Sequence, residues 1–429
     1  MYRILIVWAL ACAGAVDAPA QTAMPEAGAL ARAPSGGEND AAFVEPSAPL
    51  TLQRAIDYAL AANPELGVAV REVQAREGAR IQSALRPNPE LGVQVEDVRD
   101  RSRSTTLELS QRIERGGKRE ARMAAADLAG AVARHDLQAR RRATVAAVYS
   151  AFHALLAAQE SQRIARDSLA LAQQASAAAA RRVRAGKVSP VEETRAKLAE
   201  ASVRSERVAA DSALRVARIR LSALWGNAGP RFERAEGPVG HDTELPALER
   251  VLAALDDAPA MAGARSEVER RRAVVEVERS RSVQDVTLSV GARRNEELGL
   301  NQVLFGVSIP LAINDRNQGA LYEALQRADQ ARDELAARRL QLAGQLIGAW
   351  ERATTARERV RLLDAEVLPG ADSAYRAAVT GFELGKFSFL EVLDAQRTLF
   401  LARTQYLQAL SEMHDALAAI LAVVDAKQI

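Results

Sequence analysis

Two turn sequences decide the fold of this chain: Ala185-Gly186-Lys187-Val188-Ser189-Pro190-Val191-Glu192 and its near-repeat Leu384-Gly385-Lys386-Phe387-Ser388-Phe389-Leu390-Glu391. Each has a glycine where a tight turn between helices needs a left-handed backbone. Each then has a serine to cap the returning helix, with a glutamate three residues later to complete a capping box. Asn63-Pro64-Glu65-Leu66 is echoed by Ala258-Pro259-Ala260-Met261 at a similar offset. The sequence therefore predicts a duplicated unit and a pseudo-symmetric protomer.

Long helices are predicted on both sides of each turn. Residues 118–184 and 191–224 contain no internal proline, and the first of these stretches would extend on the order of 100 Å at the rise of an α-helix. In the second repeat the corresponding stretches are 319–384, with an interruption expected at Pro369, and 390–424. Helices of this length cannot form a small globule, so they must pack lengthwise as coiled-coil-like hairpins.

A period of two precedes each helical hairpin. Apolar residues alternate with polar ones over 91–95 and 107–113, and the pattern returns over 286–290 and 303–309. Polar loops are expected between the members of each pair, over 97–104 and 293–299. The sequence thus predicts one β-hairpin at about 90–113 and another at about 285–311.

The N-terminus has the features of an export signal. Met1-Tyr2-Arg3 supplies a positive charge, an apolar run follows, and Ala18-Pro19-Ala20 resembles a cleavage site. Cys12, the only cysteine, is a candidate for lipidation, so cleavage and lipidation both stay open. The predicted organisation is a signal peptide over 1–20, a disordered leader over 21–48, a first repeat over 49–225 with its tip at 183–190, a connector over 226–258, a second repeat over 259–425 with its tip at 382–389, and a tail over 426–429.

Composition favours long helices with a thin apolar seam, since hydrophobic residues reach 48% but aromatic residues only 4%. The formal net charge of +2 argues against a nucleic-acid partner.

No stretch after the signal has the ~18 continuous apolar residues of a membrane helix, so a membrane span would have to be built from strands. Four short strands cannot close a barrel, whereas three chains would supply twelve. A small soluble sheet on a coiled coil is the alternative.

No residue pattern indicates catalysis or a resident cofactor. Gly116-Gly117-Lys118 lacks the strand and loop spacing of a phosphate-binding loop. The four histidines, His135, His153, His241 and His414, have no second ligand at metal-binding spacing and are interpreted as surface or interhelical residues. The chain is therefore predicted to be neither an enzyme nor a tight metal binder.

The order of these elements resembles the TolC-type outer-membrane efflux factors over residues 50–425. The resemblance extends to the heavy-metal, CzcC-like branch of that family in several segments: Ala62-Asn63-Pro64-Glu65-Leu66, Arg86-Pro87-Asn88-Pro89-Glu90-Leu91, Ile113-Glu114-Arg115-Gly116-Gly117-Lys118-Arg119, Ser308-Ile309-Pro310-Leu311 and Asn314-Asp315-Arg316-Asn317-Gln318-Gly319. It implies a mainly α-helical protomer with a small β part. Three protomers would form a long helical barrel in the periplasm and a 12-stranded transmembrane β-barrel in the outer membrane.

The same resemblance implies a function and sites. The homotrimer would be the export duct of a tripartite system, with a periplasmic adaptor and an inner-membrane pump of the resistance-nodulation-division (RND) type, and divalent metal ions as cargo. A duct for multidrug efflux or type I protein secretion, and a periplasmic structural or adaptor coiled coil, are the alternatives. The implied adaptor-docking residues are Gly186, Lys187, Ser189, Gly385, Lys386 and Ser388, and the implied periplasmic gate comprises Glu391, Asp394, Phe382 and Phe387. The family's gate uses an aromatic residue with a hydroxyl and an arginine, both absent at the matching positions here.

Overall fold

A computed structural model describes residues 47–97, 102–238 and 245–425 of the chain. The predicted signal peptide, the leader up to residue 46, the candidate lipidation site Cys12 and the tail lie outside these described residues. So does His241.

Four helices form the first repeat: α1 (Leu52–Ala62), α2 (Pro64–Ser83), α3 (Lys118–Arg184) and α4 (Pro190–Ala223). Asn63 separates the first two, because its side chain accepts a hydrogen bond from the Leu66 N–H at 3.0 Å and Pro64 occupies the first helical position. The Asn63 amide also donates to the Leu224 carbonyl at 2.8 Å, which joins the start of the repeat to its end.

The second repeat follows the same plan with more irregularity. A short helix, α5 (Leu248–Ala253), lies within the segment predicted as the connector, and the repeat continues with α6 (Pro259–Arg281), α7 (Gln318–Leu362), α8 (Leu368–Glu383) and α9 (Phe389–Leu421). A π-helical turn, Leu363–Val367, separates α7 from α8 just before Pro369. The predicted interruption at this proline is confirmed, since a ring without an N–H removes a backbone hydrogen bond and crowds the preceding turn. Within the described residues, every helix is too short or too polar to cross a bilayer.

The strands form one antiparallel sheet in the order β1 (Glu90–Glu96), β2 (Ser104–Ile113), β3 (Val286–Asn295) and β4 (Leu300–Ser308). Both predicted hairpins are present, and β2 pairs with β3 to join the repeats. The loop expected over 293–299 was too long: Arg293 pairs with Gln302 and Arg294 with Asn301 inside the ladder. The side chains of these arginines still point to alternate faces of the sheet. A prediction from polarity alone therefore began the turn too early.

The core is divided into apolar seams between helices. In the first repeat, α1, α3 and α4 enclose Phe152, Leu221, Trp225 and Phe232, all almost completely buried. In the second repeat, Leu346 and Ile420 form the equivalent centre with Trp350 packed beside them. Trp225 and Trp350 are therefore packing residues. Burial of small and branched side chains along such seams, rather than one central core, holds the long helices together.

An ion pair fixes the junction between sheet and helices. The Lys118 ammonium lies 2.6 Å from the Asp285 carboxylate, which also accepts from the Arg115 N–H at 3.2 Å. Gly116 adopts a φ of 71°, and a Cβ at this position would lie 2.6 Å from the Cβ of Val283. The Gly-Gly segment therefore lets the exit of β2 pass close to the entry of β3.

Candidate functional site: an apolar sheet face and two helical tips

One face of the sheet is apolar and unusually exposed. Its side chains lie in cross-strand rows: Leu91, Leu109, Val290 and Phe305 in one row, Val93, Leu107, Ala292 and Val303 in the next, and Leu288 beside Val307 in a third. Phe305 is 84% exposed, and most of the others are at least two-fifths exposed. A contiguous apolar patch of this kind marks a surface that contacts lipid or another protein.

The opposite face carries small and polar residues. Gln94, Thr106, Arg293 and Gln302 share one row on this face, and Ser110, Ser289 and Gly306 share another. Arg293 of β3 forms an ion pair with Glu96 of β1 across the intervening strand β2. The two faces of the sheet therefore have different chemistry. Val303 and Val307 belong to the apolar face, whereas Leu304, Gly306 and Ser308 belong to the polar one.

The sheet has two open edges in the described part of the chain, because β1 and β4 are each paired on one side only. An open edge presents unpaired N–H and C=O groups, which can pair with a further strand. These groups adjoin the exposed apolar rows of β1 and β4. The sheet is therefore incomplete in a single protomer, both in its hydrogen bonds and in the burial of its apolar face.

The two helical tips have the backbone that their sequences predict. Gly186 and Gly385 have φ angles of 69° and 75°, in the left-handed region that glycine accepts without strain. Lys187 and Lys386 are exposed beside them. The sheet and the tips lie at opposite ends of α3, which with 67 residues separates them by on the order of 100 Å.

Only one of the two expected capping boxes is formed. In the second hairpin the Ser388 N–H donates to the Glu391 carboxylate at 2.6 Å, and the capping box is complete. In the first hairpin Ser189 accepts from the Val191 N–H at 3.3 Å, but its own N–H makes no bond to Glu192. The box predicted at Glu192 is therefore wrong. Pro190 and Val191 follow Ser189 there, and the cap is a tighter serine turn.

Phe389 holds the two tips against each other. Its side chain is only 3% exposed and packs against Ala179 of α3 and Ala196 of α4, with Phe382 beside it at a ring separation of 5.6 Å. Arg182 places its guanidinium carbon 4.6 Å from the centre of the Phe382 ring. Such a cation–π contact is attractive. This contact joins the two hairpins, and the sequence analysis missed it.

The other residues of the predicted gate lie at the surface beside this contact. Phe387 is 44% exposed, and its ring lies so close to Gly381 that a Cβ there would be 2.2 Å from it. Glu391 and Asp394 are both exposed. Glu391 is already occupied as a cap, whereas the Asp394 carboxylate has no side-chain partner among the described residues. The structure thus places Phe382 against Phe389 and Phe387 against Gly381, and it leaves the Asp394 carboxylate without a side-chain partner among the described residues.

A second cluster joins two histidines that the sequence analysis regarded as separate. His153 of α3 and His414 of α9 stack with ring centres 3.7 Å apart and planes 8° apart. The Tyr149 hydroxyl lies 2.9 Å from Nδ1 of His414. Burial lowers the pKa of His153 to about 4, and burial together with its neighbour lowers the pKa of His414 to about 3. Their separation of more than 250 residues hides this pair from any local pattern.

The chain matches the outer membrane efflux protein family over residues 55–227 and 251–424. It belongs to this family. The cobalt-zinc-cadmium resistance protein CzcC of Cupriavidus metallidurans is 42% identical over 372 residues, which cover 87% of this chain and 89% of that relative. The nickel-cobalt-cadmium resistance protein NccC of Alcaligenes xylosoxydans is 28% identical over 56% of this chain and 54% of its own. The family and branch inferred from the motif segments are confirmed.

Solved structures have the same fold. The channel CusC aligns with a TM-score of 0.73 at 18% identity, covering 88% of this chain and 94% of its own. The outer membrane protein VceC of Vibrio cholerae aligns with a TM-score of 0.73 at 20% identity, covering 87% and 96%. The predicted combination of long helical hairpins with a small β part is therefore confirmed. This is a family of efflux proteins rather than of enzymes.

Proposed function

We propose that this protein is the outer-membrane export duct of a tripartite efflux system for divalent heavy-metal cations. The observation that carries the proposal is the exposed apolar face of an open-edged sheet, attached to helical hairpins long enough to cross a wide aqueous space. The sheet face has the chemistry of a lipid contact, and the helices are polar. Metal cargo is supported by the relative named for cobalt, zinc and cadmium resistance, at 42% identity over most of both chains.

Trimer formation would complete the sheet. If β1 of one protomer pairs with β4 of the next, three chains give twelve strands in a closed ring with no open edge. Two chains would give eight, whose interior is largely filled by side chains and leaves no wide duct. In the trimer the row that contains Phe305 faces lipid, and the row that contains Arg293 and Gln94 faces the interior. The helical part would then lie in the periplasm.

The tips of the helical hairpins would meet the partner proteins. Lys187 and Lys386 are exposed at turns whose backbone is fixed by Gly186 and Gly385, so the surface is preformed and needs little ordering when it binds. Ser189 and Ser388 fix the direction of the returning helices. The proposed partner at these residues is the periplasmic adaptor, which connects the duct to an inner-membrane pump of the RND type.

A constriction would form beside the tips. Around a threefold axis, Asp394 and Glu391 would form rings of negative charge that attract cations, with Phe387 lining the same mouth. Phe382, held by Arg182, would keep α8 close to α3 and the mouth narrow. Opening would then require this cation–π contact to break.

Growth of a deletion strain tests the cargo. The strain should become sensitive to zinc, cobalt or cadmium, and the intact gene should restore resistance. The Val93→Arg variant, which is expected not to assemble, serves as the negative control. Sensitivity to drugs with unchanged metal resistance would favour multidrug efflux, and loss of a secreted protein would favour type I secretion. A chain that remains soluble without detergent would instead indicate the periplasmic structural or adaptor alternative.

Conductance in planar bilayers tests the constriction. Divalent cations should block the wild-type channel from the side of the tips, and Asp394→Ala should weaken that block while trimers persist. Asp372→Ala is a matched control, because Asp372 is an acidic residue of α8 already paired with Arg376 at 2.5 Å. Equal effects of the two substitutions would show that general surface charge, rather than a ring at Asp394, attracts the ions.

A further inference from the structure

The stacked histidines lie in the middle of one of the contacts between the two repeats, that of α3 with α9. We call this contact the α3–α9 seam. It includes a hydrogen bond from the Gln396 amide to the Ser168 carbonyl at 3.3 Å and one from the Ser150 hydroxyl to Asp415 at 2.5 Å. Near the C-terminal end of α9, Arg142 lies 3.4 Å from Asp425. The rings of His153 and His414 are the only stacked pair among the aromatic contacts of the described residues.

The surroundings of the pair disfavour a proton on His414. His414 is 3% exposed, and its Nε2 is buried with no hydrogen-bond partner, while Nδ1 faces the Tyr149 hydroxyl. A protonated ring needs an acceptor at both nitrogens, and Nε2 of His414 has none. Phe152 packs edge-on against His153 at 5.9 Å and adds to the apolar surroundings.

Nearby charged groups do not compensate a proton on either ring. The ionisable side chains on the elements packed around the pair include Tyr149 on α3, Tyr406, Glu412 and Asp415 on α9, and Glu351, Arg352, Arg357 and Arg359 on α7. Asp415 accepts from Ser150, and Glu412 is paired with Arg359 at 2.6 Å. Apart from burial, the only influence on the pKa of His414 is His153, which lowers it, and burial alone lowers that of His153.

The ring geometry is unsuitable for a metal ion. In-plane lone pairs of two rings that are parallel within 8° and 3.7 Å apart point in parallel directions and do not converge on one point at metal–nitrogen distance. Within the described residues, no group of three or more histidine, cysteine, aspartate or glutamate side chains is placed to hold a metal. Proton binding, rather than metal binding, is therefore the reaction that could change this pair.

The geometry points to an acid-operated release: protonation of His153 and His414 separates the stacked rings and opens the α3–α9 seam, while the helices themselves persist. Two positive charges 3.7 Å apart, one of them buried without an acceptor, repel each other and need water. Rotation of either ring toward solvent relieves both problems and removes the ring contact between α3 and α9.

The release would extend to the gate, and this part of the inference rests on the proposed function. Helix α9 begins at Phe389, beside Glu391 and Asp394, and continues without interruption to His414. A loosened seam would therefore leave α9 held to α3 mainly by Phe389 against Ala179 and by Gln396 on Ser168, and α9 could then move relative to α3. In an export duct this makes acid a signal that widens the periplasmic end.

Spin-label distances in the full-length protein in detergent test the release without reference to transport. The exposed positions Ala154 of α3 and Gln408 of α9 are replaced by cysteine and labelled, and the chain with Cys12 alone serves as background. Between pH 7 and about 3, a longer α3–α9 distance should appear, while circular dichroism shows the helices unchanged. The double variant His153→Phe, His414→Phe keeps the stacked shape without a titratable group and should show the short distance at every pH. His153→Phe alone should show an intermediate response.

Nitrogen-15 spectra of protein labelled only at its histidines report protonation independently, since the chain has four histidines. The His153 and His414 signals, assigned with the single variants His153→Phe and His414→Phe, should change together with the distance. The inference is overturned if the longer distance also appears in the double variant, if both rings become protonated without a change in distance, or if the helices unfold at the same pH. It is equally overturned if zinc at pH 7 shifts these two signals, because the pair would then be a metal site. Metal sensitivity of the deletion strain is unaffected by any of these results, so the proposed duct function is judged separately.

Discussion

Arginine at Val93 tests whether the apolar sheet face contacts lipid. Val93 lies at the centre of β1, is 65% exposed, and pairs with Leu107 in an apolar row that continues to Val303. In water this exposed substitution would change the stability of the protomer by no more than about 0.5 kcal/mol. At the middle of a bilayer the same arginine costs about 2–4 kcal/mol per copy. Three copies in a trimer therefore disfavour insertion by roughly 6–12 kcal/mol.

The neighbouring residue supplies a matched control. Gln94 is also exposed and in the same strand, but its side chain lies on the polar face beside Glu96, to which it donates at 3.1 Å. Gln94→Arg adds the same side chain one position away, on the face that would line the interior. It should leave assembly intact, because the period of two reverses the direction of the side chain. Val307→Arg repeats the test in the second repeat.

Membrane fractionation and gel mobility without heating measure the result. We expect trimers in the outer membrane for wild type and Gln94→Arg, and unassembled chain for Val93→Arg and Val307→Arg. Normal trimers of Val93→Arg would refute the lipid-facing assignment. Failure of Gln94→Arg with normal Val93→Arg would show that the two faces are reversed.

Three further predictions concern stability. Phe389→Ala should lower the free energy of unfolding of the tips by about 3–5 kcal/mol, measured as faster hydrogen exchange limited to the tips. Phe387→Ala, at a surface position, should change this free energy little. Equal effects of the two substitutions would contradict the role of Phe389. Gly116→Ala should impair folding more than Gly117→Ala, because both glycines have a φ of 71° but only a Cβ at Gly116 would also clash with Val283. The amount of each variant recovered in the membrane fraction, relative to the total expressed, compares them. The free energy of unfolding should fall as pH drops from about 6.5, the ordinary histidine pKa, toward about 3, because the unfolded chain takes up protons that folded His153 and His414 refuse. The slope should be at most about 1.4 kcal/mol per pH unit for each histidine, and thermal unfolding of the double phenylalanine variant should lose this part of the dependence.

Local sequence determined the elements of this protein. The Gly186 and Gly385 turns, the period of two in each hairpin, and Pro369 are signals that act over a few residues, so each could be recognised without the fold. The duplication strengthened them, since a pattern seen in one repeat could be checked in the other. Boundaries were less secure where local signals conflict: Arg293 and Arg294 resemble a loop but lie within β3, where pairing across the sheet outweighs their polarity.

Contacts between distant residues were decided only by the tertiary structure. Arg182 reaches Phe382, and His153 stacks on His414, because α3 packs against the second repeat at a register that no local pattern encodes. The capping box at Ser388 forms while the one at Ser189 does not, although the two sequences match at the glycine, lysine, serine and glutamate. Composition and periodicity determine which face of a helix or strand is apolar. Which partner covers that face depends on how the helices pack in three dimensions, and this packing brings together the residues of the tips and of the histidine pair.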